Sequence, residues 1–185
     1  MTILEKKKFE RNTFRKLRDA ISLNQRENLE KNVRLFIDSF VRGYKNIGYI
    51  AIYWALKNQV DIRSLKEKIS LALPRCKDKK ELLFYPWDEK PLTKDYEGIL
   101  SPNNSFSLSH KQISMILVPC LSVDKNLIRL GYGGGYFDKL RINKNWRNVP
   151  CIGVLTSNCV STIPLARAEW DIPLSGFITE KEIFV

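Results

Sequence analysis

The chain has 185 residues, 44% of them hydrophobic and 28% charged, and its 31 Lys and Arg against 20 Asp and Glu give a formal net charge of +11. That length suits one domain spanning residues 1–185 and able to bury roughly 70% of the surface its unfolded chain exposes. No apolar run approaches the roughly 20 residues of a bilayer span.

The first residues, MTILEKKKFERNTFRK, lack the apolar core of a secretory signal and carry acids that a transit peptide avoids, so the cytoplasm is the expected location. Basic residues are densest between Lys6 and Arg18 but continue through Lys77, Lys79, Lys139, Arg141 and Lys144. They show none of the aromatic interleaving of an RNA-binding sheet, so a solvated basic surface that attracts small anions is expected rather than nucleic-acid binding.

In chain order, Leu4 to about Ala20 reads as a helix burying Phe9, Thr13, Phe14, Leu17 and Ile21, with a basic face opposite. Lys7 and Arg11, four apart, project from one face, where two cations can grip one polyphosphate. Ser22 caps a second helix through about Arg42, with Gly43 at its end. A strand over 47–53 follows, then a helical pattern at Ile62, Leu65, Ile69 and Leu73. Strands are expected over 82–87, 114–118 and 151–155, with an irregular segment and one short hairpin between Trp87 and Ser109. The unbroken apolar character of the later strands suits a mainly parallel sheet covered on both faces.

Four cysteines, Cys76, Cys120, Cys151 and Cys159, lack paired spacing and histidine partners, so they read as reduced core residues and no zinc site is expected. The single histidine, His110, lies in a polar run and does not suggest a nucleophilic triad. The densest chemical signal is Arg129-Leu130-Gly131-Tyr132-Gly133-Gly134-Gly135-Tyr136-Phe137-Asp138, expected to leave the end of the 114–118 strand. Glycines let backbone N–H groups approach an anion, the guanidinium adds positive charge, and the carboxylate can hold a divalent cation. The run is neither a Walker nor a Rossmann pattern.

That run resembles the signature of the 5-formyltetrahydrofolate cyclo-ligase family, R-L-G-x-G-x-G-Y-Y/F-D. Its context is similar too, since Ile116-Leu117-Val118-Pro119 and the connector Cys120 to Asp124 precede it. The resemblance implies a single three-layer α/β/α domain with a mainly parallel sheet. It implies ATP- and magnesium-dependent cyclisation of 5-formyltetrahydrofolate to 5,10-methenyltetrahydrofolate, with ADP and phosphate released. By this resemblance, Arg129 and Asp138 are catalytic, and ATP is held by Lys7, Arg11, Arg129 and the run from Leu130 through Gly131, Tyr132, Gly133, Gly134 and Gly135 to Tyr136 and Phe137. The folate is bordered by Trp54, Gln59 and Tyr132 to Tyr136, and magnesium is held by Asp138 and Asp171. Small-molecule substrates and a monomer are expected, with no membrane.

The chain departs from the family pattern where Gln59 and Ser101 replace glutamates, Trp170 a histidine and Ser175 an acidic residue, and where an aspartate before the 114–118 strand is missing. Two other readings therefore stand beside the first. One is a non-catalytic nucleotide- or RNA-binding protein on this fold; the other is a relative whose altered pocket takes another formylated or carboxylated substrate.

Overall fold

Alternating burial along the central strands lets one sheet serve two cores. In the computed structural model, which describes residues 2–67, 69–79, 81–88 and 90–185, the chain opens with helices α1 (Ile3–Asp19) and α2 (Leu23–Gly43). Each begins with a reciprocal capping box, Thr2 with Glu5 and Ser22 with Gln25, which satisfies donors that a helix start leaves free. Then come β1 (Tyr49–Ala51), β2 (Leu71–Cys76), β3 (Leu82–Pro86), the short β4 (Thr93–Lys94) and β5 (Leu100–Ser101), β6 (Ile113–Pro119), β7 (Ser122–Asp124) and β8 (Arg129–Leu130). Helices α3 (Tyr136–Ile142) and α4 (Lys144–Arg147) precede β9 (Cys151–Val154), β10 (Val160–Ser161), β11 (Gly176–Ile178) and β12 (Ile183–Phe184).

The main sheet runs β12-β11-β9-β6-β1-β2-β3, with the five inner strands mutually parallel and the two edge strands antiparallel to their neighbours. On one face Ile50, Leu71, Met115, Leu117 and Ile152 pack with Leu29, Val33 and Ile37 of α2. On the other, Ala51, Ala72, Ile116, Val118 and Cys151 pack with Phe137, Leu140 and Trp146 from α3 and α4 and with Phe14 of α1. This is the expected mainly parallel three-layer arrangement. No helix among the described residues is long and apolar enough to cross a membrane.

Four expectations give way. The helical pattern from Ile62 to Leu73 divides into a single 3-10 turn, Arg63–Glu67, and strand β2. Ile62 and Leu65 do share a buried face, but Leu71, Ala72 and Leu73 alternate between the two cores, and Pro74 has no N–H for a helix. Pairing with β1, Ile50 to Leu71 and Ala51 to Ala72, fixes the strand. The 47–53 strand is likewise shorter, paired over Tyr49–Ala51.

Helix α1 is turned over relative to its apolar pattern. Phe9 is 68% exposed and Leu17 39%, while the inward stripe is Lys7, Glu10, Arg11, Phe14 and Arg18. Of these only Phe14 is apolar, so the helix docks mainly through its charges.

The glycine run does not leave β6 directly. Strands β7 and β8 intervene, and β7 joins β10 and β8 in a separate three-stranded sheet. Asp124, at the end of β7 and 1% exposed, closes that turn: Oδ1 accepts from the N–H of Asn126 and of Ile128, and Oδ2 from Leu165 N–H. Replacing Asp124 with Ala strands at least two buried N–H groups. The expected loss is about 2 to 6 kcal/mol of unfolding free energy, measured by urea denaturation, with Arg129 losing its fixed approach to the site.

Candidate active site

A cavity of about 650 Å³ opens beyond the carboxyl ends of β1 and β6, where ligands settle in sheets of this kind. Its walls combine a charged end, built by the glycine run and α1, with an aromatic end.

At the charged end, Gly133 (φ +118°) and Gly135 (φ +70°) sit in backbone regions that other residues enter only under strain. Gly135 ends the loop as the N-cap of α3, whose first turn carries Asp138. Arg129 Nη2 donates to Asp138 Oδ1 at 2.7 Å, with 9% of the Arg129 side chain exposed and 33% of the Asp138 side chain. Burial pushes the Asp138 carboxyl up, but Arg129, helped by Lys7 and Arg141, outweighs it and holds the group below its ordinary value of 3.8.

Charges on α1 meet the loop and a second segment. Arg11 Nε donates to the carbonyl of Gly131 at 3.0 Å, and Arg15 Nη2 to that of Tyr132 at 3.4 Å. Lys7, 8% exposed, pairs with Asp171, 5% exposed. Asp171 Oδ2 also accepts from Ala168 N–H at 2.6 Å, and Glu10 accepts from Ala166 N–H at 2.9 Å. One helix thus straps the glycine loop to the Ala166 to Asp171 segment, so that Lys7, Arg11, Arg129, Asp138 and Asp171 all line the cavity.

At the aromatic end, Trp54 meets Trp87 edge-on with ring centroids 6.1 Å apart, and the Arg63 guanidinium lies 4.1 Å from the Trp54 centroid. Gln59 Oε1 accepts from Leu56 N–H at 2.9 Å, which fixes the amide and turns its NH₂ away from that bond. The Gln59 side chain also engages the Tyr132 hydroxyl, as does Arg18, while burial raises the Tyr132 pKa.

Of the residues singled out in sequence, the cavity gathers Lys7, Arg11, Trp54, Gln59, Arg129, Gly131 to Asp138, and Asp171. Leu130 is the exception: its side chain is buried with Leu121, Ile128 and Leu165. Of the residues that depart from the family pattern, Trp170 lines the cavity with 55% exposure, while Ser175 instead accepts a hydrogen bond from Cys151 N–H at 3.0 Å.

The sequence reading missed the β4–β5 hairpin as part of the wall. Asp95 accepts from the N–H groups of Glu97, Ile99 and Cys76, and Tyr136 Oη donates to Glu97 Oε1 at 2.5 Å, joining hairpin to glycine loop. The run Asp95-Tyr96-Glu97-Gly98 carried the signal, an aspartate turn ending in a glycine at φ +76°.

All four cysteines are buried. Cys76 is the one on the large cavity's wall, and burial pushes its thiol and that of Cys120 up to about 12. His110 stands edge-on to Trp146 and is not part of the wall.

The donor set suits a hard divalent cation arriving with phosphates. Asp138 and Asp171 offer carboxylate oxygens to one cavity, each already holding a cationic side chain through one oxygen. Among the described residues no cluster of three His, Cys, Asp or Glu side chains forms a dedicated metal cage. Magnesium is commonly bound in such a way, by one or two carboxylates plus substrate phosphates and water.

Comparison with known proteins identifies the family. Residues 3–180 match the model of the 5-formyltetrahydrofolate cyclo-ligase family. A 5-formyltetrahydrofolate cyclo-ligase of Haemophilus influenzae is 27% identical over 177 residues, covering 89% of this chain and 92% of its own. One of Mycoplasma pneumoniae is 24% identical over 164 residues with the same two coverages. Among solved structures, the 5,10-methenyltetrahydrofolate synthetase of Aquifex aeolicus aligns with a TM-score of 0.77 at 27% identity, over 96% of this chain and 91% of that one. The Mycoplasma pneumoniae synthetase shares the fold at a TM-score of 0.72 and 24% identity, over 94% and 98%. With sequence match, fold and glycine signature coinciding over nearly its whole length, the chain belongs to the 5-formyltetrahydrofolate cyclo-ligase family.

Proposed function

We propose that the protein catalyses ATP-dependent cyclisation of 5-formyltetrahydrofolate to 5,10-methenyltetrahydrofolate, with ADP and phosphate as the other products. One observation supports it above the rest: a single cavity joins a phosphate-type end, made of glycine loop, cations and carboxylates, to an aromatic end suited to a pterin.

The formamide oxygen is a poor leaving group. Transfer of the γ-phosphoryl group to it, with cleavage of the bond to the β-phosphate oxygen, makes it a phosphate ester and releases ADP. N10 then attacks the formyl carbon, the C–O bond breaks to release phosphate, and the N10 proton passes to solvent. Ring closure within one molecule supplies a large effective concentration, so positioning is the protein's main contribution.

Arg129, Lys7 and Arg11 would hold the transferring phosphoryl group, and the Gly131 to Gly135 backbone would cradle the phosphates. Lys7 stands on Asp171, so its move to a phosphate exchanges one anionic partner for another. Asp138 and Asp171 are the residues that would hold magnesium, which neutralises phosphate charge when bound. No protein nucleophile is needed. Trp54 and Tyr132 would flank the pterin, with Gln59 hydrogen-bonding its edge.

The fixed amide of Gln59 favours a second reading, a relative tuned to a different formylated substrate, because it presents donors where a glutamate presents only acceptors. Replacing Gln59 with Glu separates the two. On the folate reading, the KM for 5-formyltetrahydrofolate falls by about 5- to 150-fold, equivalent to about 1 to 3 kcal/mol; with a different natural substrate it does not fall.

The primary test is the ATP- and magnesium-dependent rise in near-ultraviolet absorbance of methenyltetrahydrofolate. Turnover is expected, and Asp138→Ala should lower kcat by roughly a hundredfold or more. Absence of turnover at saturating ATP and folate overturns the assignment.

The depressed Asp138 pKa fixes a third expectation. Stability from its ionised form is fully present above the unfolded value of 3.8 and is lost as pH falls through the lower folded value. The gap in unfolding free energy between wild type and Asp138→Asn should therefore be flat above about pH 5 and narrow progressively on further acidification, as measured by urea titration.

A further inference from the structure

Arg141 lies on α3 one turn beyond Asp138 and is 6% exposed, yet no carboxylate among the described residues bonds its guanidinium. Nη1 donates to the carbonyl of Ile172 at 2.9 Å and Nη2 to that of Pro173 at 2.8 Å, while Nε is buried without a partner. Burial accordingly pulls its pKa down. A guanidinium removed from water with no carboxylate bonded to it, and with only the nearby charge of Asp138 to offset its own, is costly to the fold, and its retention asks for a reason.

The two carbonyls suggest the reason. Ile172 and Pro173 directly follow Asp171, so one planar side chain spans from the helix that carries Asp138 to the two residues next in the chain after Asp171. The Asp171 segment is otherwise tied to α1, through Lys7 and Glu10, on its other side. Among the described residues no other hydrogen bond or ion pair joins α3 to this segment. The fork geometry matters, because a lysine ammonium is a point charge that does not reproduce two parallel bonds from a rigid plane.

We propose that Arg141 is a positioning residue that sets the separation of the Asp138 and Asp171 carboxylates and thereby the site's affinity for a divalent cation bound with nucleotide. This rests on the reading that both carboxylates face one magnesium ion. Arg141 is not among the residues lining the cavity, so it acts through the segment it holds.

The test is the magnesium dependence of ATP binding, followed by equilibrium dialysis of labelled ATP at a fixed low concentration, with thermal melting recorded alongside. Arg141→Gln and the charge-preserving Arg141→Lys should each raise the half-saturating magnesium concentration by roughly ten- to a hundredfold, the range for residues that orient metal ligands. In an Asp171→Asn background, Arg141→Gln should add less than about twofold, because the carboxylate it positions is gone.

An unchanged magnesium curve for folded Arg141→Lys, whatever its melting temperature, overturns the proposal. So does a full shift that persists in the Asp171→Asn background. If wild type binds ATP without regard to magnesium, the metal reading fails and this inference with it, a result visible before any variant is compared.

Discussion

A helix that turns its charges inward needs charged or polar partners to receive them, and α1 finds these in backbone carbonyls, backbone N–H groups and one buried carboxylate. Lys7, Glu10 and Arg11 are matched to groups from two distant segments, and Phe14 supplies the apolar contact between them. The glycine loop, rich in residues with little side chain to pack, gains its outer wall from this helix. The cavity's charged end is therefore assembled by hydrogen bonding and ion pairing more than by hydrophobic burial.

Such an arrangement trades stability for readiness. A buried ion pair is a weak contributor to folding because desolvation offsets its attraction, yet removing one partner is expensive. Cations and carboxylates here neutralise one another in pairs, Lys7 with Asp171 and Arg129 with Asp138. In the proposed reaction, a ligand that is itself a matched assembly of anionic phosphate and divalent cation would replace both partners at once, whereas either component alone would leave a charge stranded.

Much of this was legible in the sequence because some signals are local. The Ser22 cap, the apolar runs of β6 and β9, the hairpin before Ser109 and the glycine run depend on near neighbours. The orientation of α1 was not, because its sequence carries two stripes of the same period and hydrophobicity alone selects Phe9 and Leu17. What decides is the partner of Lys7, which lies 164 residues away. β2 was missed for a related reason: Ile62 and Leu65 at helical spacing run into Leu71 and Leu73 at strand spacing, and only the register with β1 separates them. In the same way, Arg141 reads as surface charge until the fold brings the carbonyls after Asp171 against it.

The placement of the cysteines gives the molecule an internal reporter. Thiolates, not thiols, react with alkylating agents, and burial holds all four back. Only Cys76 of the four faces the large cavity, beside the hairpin that Asp95 ties to β2. The rate at which Cys76 is alkylated thus follows how often the hairpin opens and how fully the cavity is filled. The other three, at most 3% exposed and off that wall, supply the reference against which labelling of Cys76 is read.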